Sequence, residues 1–208
     1  MLVGASAFNP FRGLRNPFGV VIEQIQTTTF AVESVDNIMF SFGIYPGSAT
    51  INFDPANDFW TDIGQRGGQL FINALDYVAL DFFPDVFRPL PPHLILREAV
   101  HGVLQQFRQV SMPQAGIPAT VPIHIGENGW PTSPTRSYTR QAGAIETIIQ
   151  AVHEYREVVN IHRYELFNLR DADSSQNDIF YQFGLLRDDY SPKPAFAVFK
   201  KLVAELSL

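Results

Sequence analysis

Cysteine is absent from the 208-residue chain, which excludes disulfide staples, thiolate metal sites, iron–sulfur clusters and a cysteine nucleophile together. Positive charge is scarce as well: 15 Lys and Arg stand against 21 Asp and Glu, for a net charge of −6. With no basic run, a general phosphate-binding surface is not expected, and nucleic acid is not expected as a partner. No apolar run approaches the length that spans a bilayer, and residues 1–10 lack the charged start and apolar stretch of a secretory signal. The expectation is a soluble chain without a membrane partner, cytoplasmic by default.

What the sequence does have is 46% apolar residues against 17% charged ones, enough to bury a core within a single domain over residues 1–208. Helical spacing is plainest from Tyr138 to Val158, where Ile145, Ile148, Ile149, Val152 and Tyr155 recur at steps of three and four. Pro194, a good first-turn residue, opens a second helix that carries Phe196, Phe199, Leu202, Val203 and Leu206. Leu96, Val100, Val103, Leu104 and Phe107 predict a third between His93 and Met112. A further helix from Asp58 to Asn73 is interrupted near Gly67 and Gly68, and a weaker one is expected from Phe18 to Val32.

Between these lie short runs rich in β-branched and aromatic residues, Asn37–Phe42, Asp76–Phe83, Val121–Glu127 and Ile161–Phe167, which read as strands. Regular alternation of helix and strand implies parallel strands joined by right-handed crossovers, an α/β fold with about four parallel strands. A closed eight-stranded barrel needs about 250 residues, so half a barrel or a small open sheet is expected.

Ligands of parallel α/β folds meet the carboxyl ends of the strands. In Val121-Pro-Ile-His-Ile-Gly-Glu-Asn-Gly-Trp-Pro-Thr132 a carboxylate ends the strand, followed by Asn128, Gly129 and Trp130. Glu127 shares strand parity with Val121, Ile123 and Ile125, so it is expected to point with that apolar set. A charge there is costly unless used or paired, and the alternative is a capping or ion-paired Glu. Asp81 in Leu80-Asp-Phe-Phe-Pro-Asp85 fits either a ligand hydroxyl or a loop cap. Arg170 most easily forms a loop-ordering ion pair with Asp171 or Asp173.

Asp171, Asp173 and Ser175 match three calcium-loop positions, but Gln176 and Gln182 stand where Gly and Glu are needed. The five histidines show no ligand spacing, and neither a phosphate loop nor a G-x-S-x-G elbow occurs. No metal and no cofactor is expected. His124 reads as a packed, hydrogen-bonded histidine rather than a catalyst.

Ile-Gly-Glu-Asn-Gly-Trp-Pro-Thr at 125–132 resembles the ending of strand seven in retaining glycoside hydrolases with the (β/α)8 TIM barrel, the clan A type. Asp76-Tyr-Val-Ala-Leu-Asp-Phe-Phe-Pro84 is similar to their sixth strand. Phe167-Asn-Leu-Arg-Asp-Ala-Asp and Phe183-Gly-Leu-Leu-Arg-Asp-Asp-Tyr-Ser-Pro-Lys-Pro-Ala-Phe196 are similar to the eighth strand and last helix. The resemblance covers roughly Asp54 to Leu208 and implies the C-terminal half of such a barrel. It also implies hydrolysis of O-glycosidic bonds in a carbohydrate, with Glu127 as the nucleophile. Trp130 and Phe83 would then stack on sugar rings, with Asp81, Asn128 and Arg170 as supporting polar groups.

Retaining chemistry needs two carboxyl groups about 5–5.5 Å apart, and the family takes the second from an Asn-Glu pair ending strand four. This chain has no Asn-Glu pair, so the acid/base carboxylate and the first four strands are expected to be missing. Three outcomes follow: a truncated glycosidase of little activity, a barrel completed by a second copy or another half-barrel, or a non-catalytic carbohydrate-binding or scaffold protein. Open strand edges with apolar surface favour association, a homodimer among the possibilities.

Overall fold

The computed structural model describes residues 21–25, 29–34, 59–87, 89–90 and 95–206. Its sheet has five strands in sequence order: β1 (Val21–Ile25), β2 (Thr29–Ser34), β3 (Leu75–Asp81), β4 (Ile123–Asn128) and β5 (Ile161–Leu166). β1 runs antiparallel to β2, and every later neighbour pair is parallel. Among the described residues four longer helices accompany them: α1 (Phe59–Asn73), α2 (Leu96–Gln106), α3 (Tyr138–Val159) and α4 (Pro194–Leu206). From β3 onward, parallel strands alternate with helices, so the fold class is α/β as the sequence pattern predicts.

One expectation fails at the start of the chain. The helix expected over Phe18–Val32 is instead the antiparallel pair β1 and β2. This segment is rich in Val, Ile and Thr, whose branched Cβ atoms restrict χ1 and suit a pleated strand better than a helix. The strand expected at Asn37–Phe42 lies outside the described residues.

The other elements follow their sequence signals closely. α3 begins where the Ser137 hydroxyl accepts the Arg140 amide at 3.2 Å. It ends at Asn160, which adopts the left-handed conformation with φ 58°. Its Ile145, Ile148, Ile149 and Val152 are buried, the stripe expected from their spacing. α1 is broken at Gly68, whose φ of 60° and ψ of −169° no helix accommodates. α2 runs on through a π turn, Phe107–Ser111, into a last α turn, Met112–Gln114.

β3 and β4 contribute Val78, Leu80, Ile123 and Ile125 to a core shared with Val100 and Leu104 of α2 and Ile148 of α3. At the amino end of the sheet Arg108, in the π turn, reaches under it. Its Nε donates to the Val159 carbonyl at 2.8 Å and its Nη2 to that of Val121 at 3.0 Å, tying together the starts of β4 and β5. The carboxyl ends of the strands carry the long loops.

Candidate functional site at the carboxyl end of β4

Glu127 sits at the carboxyl end of β4, and its placement depends on a local irregularity of the sheet. Ile125 pairs with Tyr164, but Asn128 pairs with Leu166, so three steps along β4 are matched by two along β5. A second shift separates Leu80 from Asp81 on the β3 side. The extra residue changes the phase of β4. Asn128, fully buried, continues toward the Ile123 and Ile125 face. Its Nδ2 donates to the Phe82 carbonyl at 2.6 Å, and its Oδ1 accepts the Tyr164 hydroxyl at 2.6 Å. Glu127 is left half-buried on the opposite face, not with the apolar set that simple alternation predicts.

Two backbone hydrogen bonds fix this strand end. The Phe82 amide donates to the Glu127 carbonyl at 3.0 Å, and the Phe167 amide to the Asn128 carbonyl at 2.7 Å. Gly129 follows because a Cβ at that position would overlap the Phe167 carbonyl oxygen. The Gly-Glu-Asn-Gly string is therefore shaped on both sides by neighbouring strands.

The face that receives Glu127 is polar. Asp81 on β3 is its register partner, and His124 lies below it on β4, stacked on Tyr77 with ring centroids 4.0 Å apart. On β5, Arg163 pairs in register with His124, and its Nε contacts the Glu165 carboxylate at 2.8 Å. Burial, and then the negative charge of Glu165, raise the Glu127 carboxyl above the usual glutamate range. Burial, helped by Arg163 and His162, pushes His124 down to about 4, so it is neutral at neutral pH. Burial likewise pushes the Tyr164 phenol up, which keeps it a hydrogen-bond donor to Asn128.

The other residues singled out in the sequence are placed differently from one another. Asp81 is buried beside Glu127. Asn128 spends its amide on Phe82 and Tyr164, as a clamp across three strands. Trp130 is 0% exposed, with the Arg136 and Arg140 guanidinium groups 4.9 Å and 5.2 Å from its ring centroid. That burial leaves it no open face for a sugar ring. Phe83 is also buried, edge-on to Phe87, Phe167 and Phe183. The exposed rim of this aromatic cluster is the stacked pair of Phe87 (43% exposed) and Phe180 (65%).

Arg170 forms no ion pair with Asp171 or Asp173. It is exposed, lies 5.0 Å from the Tyr190 ring centroid, and donates to the Asp188 carbonyl at 3.2 Å. Asp171 turns inward to Lys193 instead. A groove between α3 and β5 is lined by His153, Arg156, His162, Arg163 and Tyr164 among others, and Glu127 does not line it. Among the described residues no cluster of His, Asp and Glu has the makings of a metal site, and no helix is long and apolar enough to cross a membrane.

Glu165 and Arg163 were not singled out by the sequence. The available signal was their two-residue spacing in the run Ile161–Phe167, which puts both on the face opposite Tyr164.

No family model matches the chain, and no curated protein does. Solved structures similar to it include glycoside hydrolases. A GH2 β-galacturonidase from Eisenbergiella tayi is 16% identical, with a TM-score of 0.47 over 63% of this chain and 24% of that one. A family 39 glycoside hydrolase from Bacteroides cellulosilyticus WH2 is 18% identical, with a TM-score of 0.48 over 66% and 28%. A β-glucuronidase from Ruminococcus gnavus is 15% identical, with a TM-score of 0.48 over 74% and 30%. The chain spans about a quarter of the length of these structures.

Proposed function

We propose that this chain carries part of a glycoside-hydrolase site and acts on O-glycosidic bonds of a carbohydrate, with Glu127 as the reacting carboxyl group. The observation that carries this reading is the position of Glu127: half-buried at the carboxyl end of a parallel strand, beside Asp81 and Glu165 and in no ion pair among the described residues. Such a desolvated carboxyl costs stability. The strand-end motifs that resemble retaining glycoside hydrolases supply its use. In that scheme the Glu127 carboxylate bonds to the anomeric carbon as the glycosidic C–O bond breaks, and, with no Asn-Glu acid in the sequence, the leaving oxygen takes its proton from solvent water. Water then hydrolyses the glycosyl ester. Asp81 is the polar neighbour best placed to contact a bound sugar hydroxyl, while Asn128 holds the strand end that presents Glu127.

In this reading the α/β unit from β3 to α4 corresponds to the second half of an eightfold barrel. No acid/base carboxylate from an Asn-Glu pair is present in the sequence. A second reading, a non-catalytic carbohydrate-binding or scaffold half that joins a second copy or another half-barrel, is favoured by the sheet order. β5 ends the sheet, and no strand among the described residues pairs with its outer edge.

A panel of aryl glycosides assayed with the wild type and Glu127→Gln separates the readings, with light scattering to give the oligomeric state. Hydrolysis by the wild type that is lost in Glu127→Gln supports the first. Equal inactivity of both proteins, with oligosaccharide binding retained, supports the second and sinks the first.

A further inference from the structure

The Arg163–Glu165 ion pair of β5 lies beside the carboxyl end of β4. Because Ile125 pairs with Tyr164 and Asn128 with Leu166, Glu165 is the β5 residue level with Gly126 and Glu127. It is half-buried, and Arg163 holds it on the same sheet face. Among the described residues, the charged and titratable groups around Glu127 are Asp81 and Tyr77 from β3, His124 from β4 itself, and Arg163 and Glu165 from β5. His124 is neutral, and Asp81 is common to every variant considered below. Arg163 and Glu165 are the pair whose net charge changes when either member is removed.

We propose that Arg163 and Glu165 are positioning residues for Glu127: the guanidinium holds the Glu165 carboxylate level with the end of β4, and the charge held there sets the pH at which Glu127 becomes a nucleophile. This rests on the reading of Glu127 as the reacting carboxylate. Two carboxylates side by side in a partly desolvated site repel, so the less solvated one keeps its proton to higher pH. Arg163 moderates that repulsion by pairing with Glu165. The raised carboxyl of Glu127, with Glu165 among its causes, agrees with this placement. An ion pair with a merely structural role would change stability and leave the titration of Glu127 where it was.

The test is a carboxyl-carbon NMR titration of the full chain with labelled glutamate, the Glu127 signal being identified by its loss in Glu127→Gln. Glu165→Gln lowers the Glu127 midpoint by on the order of half a pH unit. Arg163→Met raises it, Arg163→Lys restores it, and the double variant Arg163→Met/Glu165→Gln matches Glu165→Gln, because Arg163 acts through Glu165. An unmoved midpoint in folded Glu165→Gln, or shifts of the same sign in both single variants, overturns the proposal. Where an aryl glycoside is cleaved, the acid limb of kcat/KM moves with the midpoint. A wild type that cleaves none defeats the hydrolase reading, while the titration still judges the pair.

Discussion

The Lys193 ammonium lies 2.7 Å from the Asp171 carboxylate, and both side chains are wholly buried. Lys193 also contacts the Thr132 hydroxyl at 3.0 Å and the Gln182 carbonyl at 3.3 Å, while Asp171 accepts the Gly184 amide at 2.8 Å. The pair therefore joins the loop after β4, the loop after β5 and the start of α4. These are the loops that surround the carboxyl ends of the strands.

Removing one partner is far more damaging than removing both. Asp171→Asn leaves a buried ammonium without its counter-charge and is expected to cost about 3–5 kcal/mol. Replacing Asp171 and Lys193 together by leucine and methionine restores much of that loss. Denaturant midpoints of the two single variants and the double variant check the cycle. Single losses that simply add would mean that the pair is not coupled.

Asn128 makes a second joint, across β3, β4 and β5. Tyr164→Phe removes the donor to its Oδ1 and leaves a buried acceptor unmet, an expected loss of about 1–3 kcal/mol. Asn128→Ala removes the bonds to both Phe82 and Tyr164 and should cost more than Tyr164→Phe. Equal midpoints for the wild type and Tyr164→Phe in urea would show that the hydroxyl bond adds nothing.

Periodicity made much of this architecture legible before any coordinates. The Ile145–Val152 stripe of α3, the proline start of α4 and the break at Gly68 each rest on local chemistry that a short window contains. The site was legible only in part. Glu127 stands at the strand end as its motif implies, but the face it occupies follows from an extra residue in β4 that only pairing with β5 reveals. The same limit hid the Asp171–Lys193 pair, whose members are 22 residues apart. Trp130, a sugar-stacking residue by resemblance, is buried with Arg136 and Arg140, from the loop and helix that follow, over its ring. At the start of the chain, apolar spacing suggested a helix where branched residues form β1 and β2.

His124 carries an acid sensitivity. Its native pKa of about 4 lies below the ordinary 6.5, so between these values the unfolded chain binds the additional proton and stability rises with pH. The contribution is complete above about pH 6.5 and is lost as the pH falls toward 4. His124→Gln should flatten the stability profile across that window. The check is the denaturation midpoint measured at steps of pH for both proteins, and parallel curves would rule out His124 as the source.

Glu127 has the opposite sign. Its carboxyl titrates above the usual range because burial and Glu165 disfavour the charge, so the native state binds the additional proton there. Its contribution to stability is present below the unfolded glutamate value and is lost as pH rises through the native one. At neutral pH the ionised side chain therefore costs the fold stability, which Glu127→Gln removes without a change of shape. The variant should melt higher than the wild type near pH 7, and the advantage should fade at pH values below the usual glutamate range. Under the proposed function, a gain of stability on loss of Glu127 is the trade expected of a group kept for chemistry rather than for packing. Thermal denaturation of the two proteins at both pH values decides the matter: a variant that is less stable at neutral pH would mean that the carboxylate has a favourable partner and serves the structure.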